Sequence, residues 1–97
     1  MARTLKMSDA AFQKKLRDIL TTSLLKAGIR PKVYIERVPG TRLNRVTVVS
    51  SAFKRLRPSE RQDLIWRIVG SGFGIEDQLR ISMIYTFSSD ELLQESA

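Results

Sequence analysis

The stretch Val46 to Val69, VTVVSSAFKRLRPSERQDLIWRIV, changes its periodicity half-way along, and that change decides the fold. VTVV is a run of β-branched residues suited to a strand. Two serines end it, and SSAFKRL is too short and too polar to begin another strand. Pro58 suits the first turn of a helix, where its missing N–H leaves no partner unpaired. Beyond it Leu64, Ile65, Ile68 and Val69 fall at helical spacing, with Asp63 nearly opposite. Trp66 falls at the edge of that stripe, where a tryptophan either covers the rim of the core or anchors a partner. The segment is a strand turning through a cationic junction into a helix. The junction is a binding surface or the solvated edge of a small fold.

On the N-terminal side, Phe12, Leu16, Ile19, Leu20, Leu24 and Ala27 form one stripe of a helix over 8–27. Ser8 is a suitable N-cap, and Gly28 stands where a helix often ends in a left-handed residue. KVYIERV alternates as a half-buried strand, and Pro39 with Gly40 supplies turn chemistry, so LNRVTVVS is expected to return antiparallel to it. On the C-terminal side GSGFG, residues 70–74, reads as a loop. Its alternate glycines do not make a phosphate cradle, because such loops follow a strand and this one follows a helix. LRISMIYTF then sets Leu79, Ile81, Met83, Tyr85 and Phe87 on one face of a third strand. Ser88 and Glu91 have capping-box spacing, which makes Asp90 and Glu91 favourable charges at a helix N-terminus and not an acid/base pair.

The resulting order, α-β-β-(short α)-α-β-α, predicts an α+β fold with a three-stranded mixed sheet packed on one face by helices. With Val33, Val46, Val48 and Ile81 toward the helices, the open face would carry Tyr34, Glu36, Arg45, Thr47, Arg80, Ser82 and Ile84. No linker, repeat or low-complexity run divides the chain, so 1–97 is expected to be one domain, with flexible tails at 1–7 and 94–97.

Composition narrows the chemistry. Without cysteine or histidine there is no thiolate, no imidazole and no usual general base near neutral pH. A non-enzymatic protein holding no metal or cofactor is expected. Glu60 and Asp63 share a side of the helix, but arginines close in sequence explain them as solvated salt pairs. The N-terminus has no apolar leader core, and no stretch approaches the ~20 apolar residues of a membrane span, so a cytoplasmic location is expected. Net charge is +7, and ten Lys or Arg against two Glu between Lys26 and Arg61 leave the rest of the chain near neutral. A basic stripe of this kind is what phosphate-rich partners need, because neutralising phosphates releases condensed counterions. A surface that maintains solubility is the plainer alternative.

VVSSAF, the helix start containing Arg61, and IYTFSSDE resemble the core of BolA-like proteins over about Phe12 to Leu92. In that family a strand ending in V-V-S precedes an arginine-containing helix, and a last strand runs into T-x-S/T-x-x-E. The resemblance implies a fold akin to type II KH domains. It also implies a binding role, either as a nucleic-acid-binding regulator of stress response or as a partner of monothiol glutaredoxins in iron–sulfur handling. Arg80 takes the place of the family's histidine before the last strand, and a guanidinium has no acceptor with which to hold iron. No G-x-x-G clamp is present; KRLRP stands in that place. The candidate nucleic-acid contacts are therefore Lys54, Arg55, Arg57 and Arg61, with Arg42 and Arg45 if the hairpin lies alongside. For a protein partner the candidates are Trp66 and, on the open sheet face, Arg80.

Overall fold

A computed structural model describes residues 7–96. Helix α1 spans Asp9–Lys26, and strands β1 (Lys32–Arg37) and β2 (Asn44–Val49) follow. A 3₁₀ turn at Ser51–Arg55 leads into α2 (Pro58–Gly72), and then come the short α3 (Ile75–Gln78), β3 (Ile81–Phe87) and α4 (Ser89–Ser96). The α+β class and element order are those expected, with α3 added. Of the expected tails, residues 1–6 and 97 lie outside the described residues, Met7 packs against the core, and 94–96 continue α4.

β2 is the central strand, antiparallel to β1 and parallel to β3. The parallel pair needs a crossover, and α2 supplies it. Phe12, Leu16, Leu20 and Leu24 of α1 are fully buried at the expected i, i+4 spacing, against Ile65, Ile68 and Val69 of α2 and Val46 and Val48 of β2. Ser8 caps α1 by accepting the Ala11 N–H at 3.1 Å, and Gly28 takes a φ of 80° just past its end. Ile19 is partly buried, while Ala27, placed on the stripe by spacing alone, is the exposed C-cap.

Two expectations change. The segment 70–74 is not a loop throughout, because α2 runs to Gly72 and the break comes at Phe73. Gly72 is where α1 and α2 come close: a Cβ there would sit 2.7 Å from Cδ1 of Ile19. Phe73 then turns inward and meets the Phe12 ring at 5.2 Å between centroids.

The second change is in β3. Asn44 pairs with Ile81, yet Arg45 pairs with Met83 and Val46 with Ile84, so one extra residue is accommodated at Ser82. A bulge resets the two-residue alternation. Ile81 faces the helices before it and Ile84 after it, and both are buried. Met83 and Tyr85 are exposed on the other face, and Leu79, which simple alternation places in the core, is 71% exposed ahead of the strand. Ile84 therefore belongs to the core and not to the open face. Buried Asn44 holds the bulge by donating to the Arg80 carbonyl through Nδ2 (3.3 Å) and backbone N–H (2.7 Å), while its Oδ1 accepts from Gln13 of α1 at 2.8 Å. Among the described residues no buried side-chain polar atom lacks a partner.

Candidate nucleic-acid interface

The antiparallel register decides which cations share a surface. Lys32 pairs with Val49, so the start of β1 lies beside the end of β2, where the chain enters the 3₁₀ turn. Arg30 and Lys32 line a shallow groove there with Tyr34, Ser50, Ser51 and Ser89. Lys54, Arg55 and Arg57 follow within a few residues and are all exposed. Arg42 lies in the hairpin turn and Arg45 is the second residue of β2, both toward the far end of the sheet, whose six-residue strands are about 20 Å long. The hairpin does not bring them to the corner.

Acidic partners are distributed just as unevenly. At the hairpin end Arg45 meets Glu36 at 3.0 Å, Arg37 meets Asp9 at 3.3 Å, and Arg80 reaches Asp9 at 2.8 Å and Asp77 at 3.5 Å. Lys54 pairs with Asp90 of α4, both side chains more than half exposed, a contact that solvent screens strongly. Arg30, Lys32, Arg55 and Arg57 make no ion pair with the described residues. Arg57 is the N-cap of α2, and its N–H donates to Glu60 at 2.8 Å. Its side chain has no acceptor, so the reciprocal half of a capping box is missing and the guanidinium stays in solvent. Glu60 offsets the unfavourable placing of that cation near a helix N-terminus.

Arg61 has left the surface. Its side chain is 5% exposed, donates to Glu91 at 2.6 and 3.3 Å and to the Leu56 carbonyl at 3.1 Å, and lies over the Phe53 ring at 5.7 Å. Glu91 also accepts the Ser88 N–H at 2.8 Å, and Ser88 Oγ accepts the Glu91 N–H at 3.2 Å, the expected capping box. The hydrogen bond from Arg61, with that from Ser88, lowers the Glu91 pKa below the usual carboxylate range against a smaller opposing desolvation. Arg61 is thus a tie between α2 and α4 and offers no phosphate contact.

Arg80 is likewise enclosed. It donates to the Met7 carbonyl at 2.9 Å and to Asp9, and its guanidinium covers the Phe12 ring at 4.4 Å. It sits by α1, not on the open sheet face, which withdraws it as a partner contact. Trp66 is 37% exposed on α2, about 12 Å along the helix from Pro58 at 1.5 Å per residue, and is apart from the corner. No family model, curated protein or solved structure matches the chain.

Of the six expected nucleic-acid contacts the structure brings together Lys54, Arg55 and Arg57. Sequence reasoning missed Arg30 and Lys32 at the same corner. The signal for them lay in the hairpin: a turn centred on Gly40 and Thr41 folds Lys32 onto Val49 and carries Arg30 toward Ser51. Among the described residues no three of Asp or Glu gather as metal ligands, and no helix is long and apolar enough to cross a membrane.

Proposed function

We propose that this chain is a non-enzymatic, BolA-like binding protein that contacts nucleic acid through the cationic end of its sheet. One observation carries the reading: Arg30 and Lys32 of the shallow groove, with the exposed Arg55 and Arg57 a few residues along the chain from it, make no ion pair with the described residues, while at the opposite end Arg37, Arg45 and Arg80 are tied to Asp9, Glu36 and Asp77 and Arg42 alone stays unpaired among the described residues. Phosphate contacts need free guanidinium and ammonium groups, and each one engaged releases a counterion. The adaptor reading rests on Trp66 and Arg80, and the enclosure of Arg80 leaves it the weaker of the two.

Binding measured by fluorescence anisotropy across a salt series tests this. The double variants Arg30→Ala/Lys32→Ala and Arg55→Ala/Arg57→Ala are each expected to flatten the log–log salt slope by about 1.5 to 2, and to weaken all sequences alike. Arg42→Ala, at the other end, is expected to leave the slope unchanged. Equal slopes for the wild type and both double variants would remove the corner from the interface.

A further inference from the structure

We propose that the open face of the sheet is a stacking platform for unpaired bases, which makes single-stranded nucleic acid the ligand of the cationic end. The proposal rests on the reading above and narrows its ligand class. Register places Tyr34, Thr47 and Tyr85 in one row across the three strands. Tyr34 is 53% and Tyr85 38% exposed, and Met83 in the adjoining row is 49% exposed. The two tyrosines are two strand spacings apart, about 10 Å, with only a threonine between them. Tyr85 stacks on Phe87 at 6.2 Å with 10° between ring planes, which fixes the orientation of its ring. The helices α1 and α2 pack on the other face, so these rings are left uncovered by the core.

What the rings face is set by their neighbours. Tyr34 lines two shallow grooves, one with Arg30 and Lys32 and the other with Arg17. Those three cations make no ion pair with the described residues. Among the described residues the one carboxylate lining either groove is Glu36, already bonded to Arg45 at 3.0 Å. An aromatic surface flanked by uncompensated cations suits a nucleotide, whose base stacks while its phosphate is neutralised. A duplex keeps its base faces covered, so stacking selects for single strands. An apolar protein partner would instead desolvate Arg17, Arg30 and Lys32 with no acid to meet them.

The test uses a labelled oligothymidylate of about 15 nucleotides and a duplex of the same length. Tyr34→Ala and Tyr85→Ala are each expected to weaken the single strand about five-fold to a hundred-fold, with little change in salt slope, because stacking carries no counterion release. Tyr34→Phe and Tyr85→Phe are expected to bind as the wild type, which separates ring loss from misfolding. Duplex affinity is expected to change less than about two-fold in all four variants. Unchanged single-strand affinity in the alanine variants, or equal losses on both ligands, overturns the stacking platform and leaves the phosphate reading standing. Binding to neither ligand overturns both. A doubling of mass that Tyr85→Ala abolishes, without oligonucleotide binding, would assign the face to a second copy of the chain and overturn the proposal as well.

Discussion

Phe12→Ala is expected to cost about 3–5 kcal/mol of folding stability, the range for removing a buried phenylalanine. Phe12 is fully buried, packs against Phe73 and lies under the Arg80 guanidinium. Its removal takes away three contributions: the transfer free energy of the ring, the tilted aromatic contact and the cation–π contact. The cavity would open beneath Arg80, whose charge stays tied to Asp9 and Asp77 and cannot move inward to fill it. A domain of this length has on the order of 5–15 kcal/mol in total, so the variant is expected to be substantially unfolded near physiological temperature. Urea denaturation checks this, with Phe12→Leu as the control expected to lose less because it refills most of the volume. A midpoint for Phe12→Ala close to wild type would mean that the Phe12–Phe73–Arg80 stack is not the anchor of α1.

Most of the fold follows from patterns visible in the chain. The i, i+4 apolar stripe of α1, the Pro-Gly turn and the proline at the start of α2 are local signals, each tied to backbone geometry within a few residues. What escaped is non-local. Simple alternation carried through Ser82 puts Ile84 in solvent, whereas a bulge is set by pairing with another strand. Gly70 and Gly72 read as a loop because glycine is a poor helix former, whereas Gly72 is needed where Ile19 of α1 crowds the helix.

The site divides along the same line. Lys54, Arg55 and Arg57 are adjacent in the chain and exposed, so sequence proximity sufficed. Arg61 is only four residues beyond Arg57, but one turn of helix carries it under α4. Arg80, at the mouth of the third strand, depends on a partner 71 residues away. No charge count distinguishes a free arginine from one whose partner arrives by topology.

That distinction yields the second large effect. Glu91→Ala is expected to cost about 2 kcal/mol, because it strands a guanidinium that is 5% exposed; the full penalty for an orphaned buried charge is discounted since the Glu91 side chain is 43% exposed. Arg61→Met is expected to cost less than Glu91→Ala. It removes the buried charge itself, and Glu91 retains water and its Ser88 hydrogen bond. The pH dependence follows from the lowered Glu91 pKa. A depressed carboxylate adds stability above its unfolded pKa, near the usual 4.5, and loses it as pH falls below that value through the folded pKa. The stability gap between wild type and Glu91→Gln should therefore be full at neutral pH and close on acidification, and it should shrink without vanishing when both proteins carry Arg61→Met, because Ser88 still bonds the carboxylate. Urea unfolding at neutral and acid pH measures both. If Arg61→Met alters the salt slope of nucleic-acid binding as Arg55→Ala/Arg57→Ala does, Arg61 reaches phosphate after all. If the slope holds while stability falls, the arginine is the bolt between α2 and α4 and the binding charge belongs to its neighbours.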